Sequence, residues 1–482
     1  MTTTPHTFHI QTFGCQMNAG DSDWLSRSLK ARGFVEVPFE QANIHILNTC
    51  SIRDKAEQKV YSELGRIARY CKVNRISGVT VCVGGCVAQQ VGAALAKRFP
   101  QVRLIFGTDG IAAAPEAVSR LMEEPRLRLS LLDFADSYEE RDGAWLDAAL
   151  GGSGDAIPAA AFVNIMQGCD NYCTYCIVPY VRGRQKSRAP EAVIAECRGL
   201  LEGGAREITL LGQNVNSYGQ DAGADGMGFA ALLRRVAALP GLERLRFVTP
   251  HPKDIAPEVI DAFAELDVLC PRLHLPLQSG SDRILKAMNR RYDTARYLGI
   301  VERLKKARPD ILLTTDIIVG FPGETEEDFA ATMALMREAG FASSFSFVYS
   351  DRPGARAALL PGKVERGVAL ERLSRLQEWQ NQASDRVLAS MPGSDRVILL
   401  EAKSRLEALL QEGEDSSREP APHPDREAWQ GKTEHGIIVN VELPRKEARR
   451  FAQGGWQGAM LPVHIEAAAK HSLKGRPTGS PW

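Results

Sequence analysis

Short apolar runs alternate with amphipathic segments over residues 1–110 of the chain. Short apolar runs bounded by polar residues predict strands, and longer segments with an apolar residue every three or four positions predict helices. The regular alternation of the two indicates a parallel sheet with helices on its faces. The predicted strands are Phe8–Phe13, Ile44–Asn48, Val79–Val83 and Arg103–Phe106. The predicted helices are Asp21–Arg32, Arg53–Tyr70 and Val87–Arg98.

A second alternating series occupies residues 161–390. Six candidate strands are separated by helical segments such as Pro190–Leu201 and Glu326–Glu338. Six β/α units suit a partial (β/α)6 barrel better than a full barrel of eight, and such barrels place their chemistry at the carboxyl ends of the strands. The predicted strands are Ala161–Gln167, Glu207–Leu211, Arg244–Val248, Arg272–Leu277, Leu312–Val319 and Ser344–Tyr349.

The pattern changes near residue 392 to short strand-like runs, which predict a small β-domain over residues 392–475. The acidic, proline-rich stretch Glu412–Asp425 interrupts these runs and has the composition of a disordered loop. The runs are Val397–Leu400, Gly436–Val441 and Met460–Ile465. The predicted organisation is an α/β domain over residues 1–135, a linker over 136–160, a barrel over 161–390 and the β-domain.

Composition and charge narrow the class of protein. The 482 residues contain 59 Lys and Arg against 59 Asp and Glu, so the formal net charge is zero. A balanced charge excludes a histone-like protein and leaves nucleic-acid binding to a local basic patch. No run of 18 apolar residues occurs, and the polar segment Met1–His6 does not resemble an export signal. We therefore expect a cytoplasmic protein that does not insert into a membrane.

Six of the ten cysteines stand at positions that suggest metal binding. In a reducing compartment clustered cysteines bind metal more often than they form disulfides. Cys169, Cys173 and Cys176 have the spacing C-x3-C-x2-C directly after the first predicted barrel strand. Three more follow the predicted strands of the first domain, whose carboxyl ends share one edge of the sheet, so they should converge. These are Cys15, Cys50 and Cys86. The cysteines left as buried core residues are Cys71, Cys82, Cys197 and Cys270.

The C-x3-C-x2-C spacing is compatible with two kinds of metal centre, a zinc ion and an iron–sulfur cluster. A structural zinc ion needs a fourth Cys or His, and the twenty residues after Cys176 contain neither. Thiolates also hold iron–sulfur clusters, and three of them on a four-iron cluster leave one iron open to a ligand. An open coordination position is a feature of catalytic rather than structural sites.

The same motif, Gly168–Cys176 with Tyr175 before the last cysteine, resembles that of the radical S-adenosylmethionine (SAM) enzymes. The resemblance implies that the open iron chelates the amino and carboxylate groups of SAM. It also implies that an electron from the cluster cleaves SAM to methionine and a 5′-deoxyadenosyl radical. Such a radical can break the strong, barely acidic C2–H bond of an adenine, which acid–base catalysis cannot.

Further segments narrow the resemblance to the methylthiotransferase family, and within it to the branch that modifies tRNA. The similar segments are Thr12–Asn18, Asn48–Arg53, Gly85–Gln89, Gly168–Gly183, Leu210–Asn216, His274–Gly280 and Gly320–Thr325. This branch makes 2-methylthio-N6-isopentenyladenosine next to the anticodon. Methylthiolation of a ribosomal-protein aspartate, or of another modified adenosine such as t6A, is the alternative enzyme reading. An iron–sulfur assembly or RNA-binding protein without turnover is a third.

The resemblance also implies cofactors, partners and site residues. It implies two [4Fe-4S] clusters, one held by Cys169, Cys173 and Cys176 and an auxiliary one held by Cys15, Cys50 and Cys86. It implies two uses of SAM, as radical source and as methyl donor, and an active site at the domain interface. The implied partners are a tRNA with an isopentenylated adenosine, a reductant such as flavodoxin or ferredoxin, and iron–sulfur carrier proteins. The SAM contacts expected from the cysteine motif, from strand-end positions and from the family match are Tyr175, Gln213, Asn214, Gln278 and Gly320.

RNA contacts are expected from the basic run after the cysteine loop and from the C-terminal β-domain. Four cations follow the cysteine loop, and they are either a solvated run of charge or phosphate ligands beside the active site. They are Arg182, Arg184, Lys186 and Arg188. The segments Gly431–Glu434 and Leu473–Gly475 resemble the small RNA-binding TRAM β-domain of the family, so Lys432 is a further candidate. The acidic stretch Glu412–Asp425 departs from the compact form of that domain.

Overall fold

The computed structural model of the chain describes residues 5–51, 56–141, 143–150, 157–404, 425–445 and 456–482. The predicted acidic loop Glu412–Asp425 lies outside the described residues except for Asp425. The end of the segment Asn48–Arg53, from Ile52 onwards, lies outside them too.

The N-terminal part is a six-stranded parallel sheet in the order β2-β1-β3-β4-β5-β6, with helices packed on its faces. The predicted parallel α/β fold is thereby confirmed. Its strands are β1 (Thr7–Thr12), β2 (Val35–Glu36), β3 (Ile44–Thr49), β4 (Thr80–Gly85), β5 (Val102–Phe106) and β6 (Leu129–Leu131). Its helices are α1 (Gln16–Ala31), α2 (Ala56–Asn74), α3 (Cys86–Arg98), α4 (Ala114–Glu123) and α5 (Ala144–Leu150).

Two helices differ from the sequence-based expectation. Helix α1 begins at Gln16, five positions before the predicted start. The prediction missed its first turns because the residues buried there include the polar Asn18 and Asp21. An apolar period cannot reveal a helix face that is buried by polar contacts. Helix α5 lies within the segment predicted as a linker, where Trp145 is buried in the core that α1 also lines.

The central part is a partial barrel of six main strands in two parallel sheets, β11-β10-β7 and β12-β13-β14, as predicted. A parallel bridge between Leu245 and Leu269 continues the first sheet toward the second. The strands are β7 (Ala160–Asn164), β8 (Met166–Gln167), β9 (Lys186–Ser187), β10 (Glu207–Leu211), β11 (Arg244–Phe247), β12 (Arg272–His274), β13 (Leu312–Val319) and β14 (Ser343–Val348).

The barrel helices cover the outer face of these strands, and the barrel is open between the edge strands β7 and β14. The helices are α6 (Val178–Val181), α7 (Pro190–Glu202), α8 (Phe229–Ala237), α9 (Pro257–Glu265), α10 (Asp282–Ala287), α11 (Thr294–Ala307), α12 (Glu326–Ala339) and α13 (Arg366–Ala389). The predicted strand Ala161–Gln167 is in fact two strands. Its second part, β8, pairs antiparallel with β9, so this short ribbon leads into and out of the cysteine loop.

The C-terminal part is a closed five-stranded barrel in the order β15-β16-β17-β19-β18 with its own core. The expected small β-domain is confirmed. The strands are β15 (Asp395–Lys403), β16 (Arg426–Lys432), β17 (Ile438–Pro444), β18 (Met460–Ala469) and β19 (Ser472–Pro477). Among the described helices, none combines the length and the apolar character that crossing a membrane requires.

The small barrel docks at the amino ends of the central strands, opposite the cysteine loop. Arg244, the first residue of β11, donates to the carbonyl oxygens of Lys432 and Val397 at 2.7 and 2.6 Å. Arg272, the first residue of β12, donates to the carbonyl of His435 at 2.9 Å. These hydrogen bonds join the central barrel to the small barrel, mainly through backbone carbonyls in and next to the Gly431–Glu434 segment.

Candidate functional site

The carboxyl edge of the N-terminal sheet brings together Cys15, Cys50 and Cys86. Cys15 follows β1 and precedes α1, Cys50 follows β3, and Cys86 is the first residue of α3 directly after β4. A Cβ atom placed on Gly14 would lie 2.6 Å from the sulfur of Cys50, so the loop before Cys15 packs directly on that thiol. A hydrogen bond from Cys50 is the largest influence on Cys15 and lowers its pKa to about 6. We call this group the auxiliary thiols.

Two glycines allow the chain to turn at this edge. Gly14 has a φ of 107° and Gly85 a φ of 87°, a region that other residues rarely adopt. A Cβ atom on Gly85 would approach the carbonyl oxygen of Thr49 to 2.4 Å, which a side chain cannot do without displacing β3. The two turns therefore place Cys15 and Cys86 immediately after their strands.

Arg182 of the central barrel reaches the auxiliary thiols across the domain interface. Its side chain is 3% exposed, and its Nη2 donates to Oδ1 of Asn18 at 2.9 Å. Burial disfavours the charged guanidinium, but the charges of Cys86, Asp21 and Cys15 outweigh this effect and raise the pKa of Arg182. Within the described part of the chain, its buried Nη1 has no hydrogen-bond partner.

The second group of thiols lies in the loop between β8 and β9. Gly168 has a φ of 79°, and a Cβ atom there would lie 1.9 Å from the carbonyl oxygen of Arg184, so the entry to the loop requires glycine. The amide of Cys169 donates to the carbonyl of Gly183 at 3.3 Å, and the amide of Cys176 to that of Cys173 at 3.0 Å. These bonds hold Cys169, Cys173 and Cys176 in one compact loop, which we call the loop thiols.

Burial and repulsion from neighbouring thiols favour the protonated forms of Cys169 and Cys176. Burial, joined by the charge of Cys173, raises the pKa of Cys169 to about 11. The same two causes, in the same order, raise the pKa of Cys176 to about 12. Because the thiolate is the form that binds metal, a metal centre bound at this loop must supply positive charge that stabilises the thiolates of Cys169 and Cys176.

Two residues beside Cys173 were not predicted from the sequence. His251 places Nε2 3.8 Å from the Cys173 sulfur. Nη1 of Arg290 donates to the same sulfur at 3.4 Å and to the Tyr175 hydroxyl at 3.2 Å. His251 follows β11 and Arg290 follows α10, so each belongs to a different β/α unit from Cys173. From the sequence, these two residues could have been identified only by their positions after barrel elements, and many other residues share such positions.

The donor geometry discriminates between a single metal ion and a cluster. Across the described residues, no three His, Cys, Asp or Glu side chains approach closely enough to hold one ion. A zinc site would need four ligands at roughly 2 Å from one point. Thiolates of an iron–sulfur cluster instead bind separate corners of a wider core. Each thiol group also has an arginine beside it, Arg182 or Arg290, which favours an anionic group at that position.

Two of the five expected SAM contacts lie within the loop-thiol region. Tyr175 is part of the loop and, like Ile318 and Tyr349, packs against the apolar cluster around Phe321. Gln213 accepts a 2.5 Å hydrogen bond from the amide of Gly168. The other end of the Gln213 amide, Nε2, is buried and has no partner among the described residues. That nitrogen is a spare donor directly beside the cysteine loop.

The other three expected SAM contacts have protein partners. Asn214 uses both ends of its amide, donating to Asp254 at 2.7 Å and accepting from the amide of His251 at 3.2 Å. It therefore positions the His251 turn. Gln278 has a φ of 75° and bonds to β13 through its backbone. Gly320 has a φ of 70°, and the group that a Cβ atom there would strike is Ala369 of α13, at 2.6 Å.

The four cations after the cysteine loop do not share one environment, and the expectation that all contact phosphate needs correction. Only Arg184 is at the surface, with 80% of its side chain exposed and an ion pair to Asp170 at 3.1 Å. Arg182, Lys186 and Arg188 are at most 5% exposed. Buried cations inside a domain interface cannot reach the backbone of an RNA bound outside it.

The buried cations instead join the N-terminal and central parts of the chain. Lys186 pairs with Asp109, which follows β5. Arg188 pairs with Glu140 at 2.7 Å and Glu196 at 2.6 Å. The remaining candidate, Lys432, lies in the small barrel, pairs with Glu401 at 2.7 Å and keeps 42% of its side chain exposed.

Comparison with known proteins gives two family matches. Residues 163–336 match the Radical SAM superfamily, and residues 7–107 match the Uncharacterized protein family UPF0004. The first covers the cysteine loop and most of the central barrel, and the second covers the auxiliary thiols.

Individual relatives match over nearly the whole chain. The tRNA-2-methylthio-N(6)-dimethylallyladenosine synthase of Nitratidesulfovibrio vulgaris (strain DP4) is 59% identical over 99% of both chains. The protein of the same name from Lawsonia intracellularis is 51% identical over 98% of both. Among solved structures, the radical SAM methyltransferase TsrM from Kitasatospora setae matches with a TM-score of 0.52 and 15% identity, over 74% of this chain and 75% of that one. The last likeness is one of fold.

Proposed function

The chain belongs to the tRNA-2-methylthio-N(6)-dimethylallyladenosine synthase family of radical SAM enzymes, and from this membership we propose how its two thiol groups divide the work. The enzyme converts N6-isopentenyladenosine next to the anticodon of tRNA to its 2-methylthio derivative. It uses an iron–sulfur cluster and SAM. The number of clusters, the residues that hold them and the further partners are proposals.

The proposed division assigns one [4Fe-4S] cluster to each thiol group. Cys169, Cys173 and Cys176 would hold the cluster that binds SAM, and the auxiliary thiols would hold the second. The observation that carries this assignment is that Arg182, which leaves the cysteine loop, ends beside Cys86 and Cys15. One short segment thus touches both thiol groups, as two cofactors acting on one substrate require. When bound, the clusters and SAM supply the radical, the sulfur and the methyl group.

Residues of this chain would bind and orient SAM at the loop thiols. Gln213 offers the free buried Nε2 described above, and Tyr175 offers an aromatic ring against the loop. Arg290 holds both the Tyr175 hydroxyl and the Cys173 sulfur, so it fixes the ring relative to the cluster. For Gln278 and Gly320 the proposed contribution is to shape the barrel opening around SAM, because the amide of Gln278 already bonds Asp316 and that of Gly320 already bonds Glu324.

The interior face of the barrel offers a binding place for the adenine base of the tRNA substrate. Phe345 and Phe347 of β14 are 61% and 54% exposed and point to the same side of the strand. Phe345 stacks edge-on against His274 at 6.2 Å. Phe347 pairs in register with Ile318, and Ile318 and Tyr175 pack against the same small apolar cluster around Phe321. Two exposed aromatic rings beside the cofactor loop suit stacking with a base turned out of the RNA.

Replacing Phe347 with alanine is expected to raise KM for an isopentenyl-adenosine anticodon stem-loop roughly tenfold. Stacking of a base on an aromatic side chain contributes about 1–3 kcal/mol, and every 1.4 kcal/mol is a factor of about ten. Steady-state assays and iron analysis of the same sample measure the effect. Leu359→Ala is the matched control, because Leu359 is 89% exposed and lies outside β14. An unchanged KM in Phe347→Ala would remove this strand from the substrate site.

Other partners follow from the chemistry. Cleavage of SAM by a reduced cluster needs a one-electron donor, for which flavodoxin or ferredoxin is the proposed source. Iron–sulfur carrier proteins are proposed to load the thiols. We place the enzyme in the cytoplasm because its tRNA substrate is there. The exposed Arg184 and Lys432 are the proposed phosphate contacts outside the active site, through electrostatics that salt should weaken.

Anaerobic reconstitution tests the function directly. Protein loaded with iron and sulfide, reduced and given SAM, should convert an isopentenyl-adenosine stem-loop to the 2-methylthio product and release 5′-deoxyadenosine. Nucleoside mass analysis detects the added methylthio group, and a stem-loop with unmodified adenosine serves as the control substrate. A deletion strain that retains 2-methylthio-N6-isopentenyladenosine in its tRNA would contradict the assignment.

A further inference from the structure

A single short segment connects the two thiol groups, and we call Cys176–Gly183 the bridging segment. It begins at one of the loop thiols. Ile177 and Val181 of this segment pack against the auxiliary Cys86 in one small buried cluster. At its far end the carbonyl of Gly183 accepts the amide of Cys169. The bridging segment therefore has contacts with both thiol groups over only eight residues.

Arg182 is the only basic side chain of the bridging segment, and it points away from its own loop. Its guanidinium is directed to α1, where Nη2 bonds Asn18 at 2.9 Å and approaches Asp21 at 3.5 Å. The same guanidinium lies beside the sulfur of Cys86. Asp21 also pairs with Arg141, so its single negative charge is shared between two arginines. Arg182 is therefore only partly neutralised by the carboxylate.

The guanidinium of Arg182 is already directed at an auxiliary thiol, because a hydrogen bond with Cys86 is among the causes that raise the pKa of Arg182. Its Nη1 is buried and bonds no described residue. A buried charged donor without an acceptor is destabilising, so a ligand that accepts a hydrogen bond from it is favoured at this position. A phosphate cannot reach an arginine that is 3% exposed. The acceptor suited to this position is an anionic sulfur at the auxiliary site, because the neighbouring side chains include the thiols of Cys86 and Cys15.

We propose that Arg182 donates a hydrogen bond from Nη1 to an anionic sulfur of the auxiliary cluster and raises the reduction potential of that cluster. The inference rests on the two-cluster assignment above. Hydrogen bonds to the sulfurs and nearby positive charge stabilise the reduced, more negative form of an iron–sulfur cluster. Arg182 is thus a positioning residue that tunes the auxiliary cluster from the segment that also carries a loop thiol.

The test uses the full chain with the loop thiols removed, as Cys169→Ala/Cys173→Ala/Cys176→Ala, so that only the auxiliary cluster is present. Anaerobic reconstitution with iron and sulfide is followed by iron analysis and an EPR-monitored redox titration. Adding Arg182→Met to this background is expected to keep about four irons per chain and to shift the midpoint potential to a more negative value. Arg184→Met, two residues away and exposed, is expected to leave the potential unchanged.

The outcomes separate this inference from the two-cluster assignment. A triple variant that binds no iron contradicts the assignment itself. The inference alone is overturned if the triple variant binds its cluster and the added Arg182→Met leaves the midpoint potential of that cluster unchanged. If Arg182→Met does not assemble the cluster, Asp21→Asn gives the second measurement. Removing that carboxylate leaves Arg182 less neutralised and should shift the potential to a more positive value, and an unshifted potential then overturns the inference.

Discussion

Cys173→Ala is expected to abolish the release of 5′-deoxyadenosine from SAM and to reduce the iron content from about eight to about four per chain. Cys173 is the most enclosed of the loop thiols, between His251 at 3.8 Å and Arg290 at 3.4 Å. Alanine leaves two thiolates, too few to retain a cluster that three hold in place. Methylthiolation of the stem-loop should be lost with SAM cleavage, because every activation of the substrate depends on it.

The control for this variant is Cys197→Ala. Cys197 lies in α7 of the same barrel and is fully buried in its hydrophobic core. The Cys197→Ala variant should retain its full iron content and cleave SAM normally. Its free energy of unfolding should fall only by the amount expected for a small core truncation. Both variants are assayed for iron, acid-labile sulfide and 5′-deoxyadenosine under reducing, anaerobic conditions. A Cys173→Ala protein that still cleaves SAM would refute the assignment of the loop thiols.

Cys15→Ala is expected to lower the iron content to about four per chain while leaving SAM cleavage measurable. Cys15 lies between the hydrogen-bonding Cys50 and the Arg182 charge, which together favour its thiolate. Removing it should empty the auxiliary site and leave the loop thiols intact. The variant should then release 5′-deoxyadenosine without forming the methylthio product, a separation that the Cys173→Ala protein cannot show.

Cys82→Ala is the matched control for the auxiliary site. Cys82 lies in the middle of β4, four residues before Cys86, and is fully buried between strands. It should retain about eight irons and form the product. Unchanged iron in Cys15→Ala would refute a second cluster at this edge. Parallel loss of iron in both proteins would indicate unfolding, which circular dichroism of the same samples resolves.

Local patterns were sufficient for most of the secondary structure and for the two cysteine groups. The predicted strands Glu207–Leu211 and Leu312–Val319 match β10 and β13 residue for residue. They could be found because both are short runs rich in Leu, Ile, Val and Thr, the composition of strands that pack against helices. Helix α1 began earlier than predicted because Asn18 and Asp21 are buried by a polar interface rather than by apolar packing. The confirmed fold class therefore came from periodicity, and the missed boundaries came from contacts between domains.

The sequence by itself determined the fold class, the membership of the methylthiotransferase family and the six candidate thiols, because the alternation of strands and helices and the short motifs around the cysteines are local properties of the chain. Only the tertiary structure decided what the cations do. Arg182, Lys186 and Arg188 are a basic run in the sequence, yet they are buried against partners far away in the chain, and Arg184 alone faces solvent. His251 and Arg290 meet Cys173 from other β/α units. Burial and long-range pairing depend on how distant segments pack, and spacing along one chain does not record that.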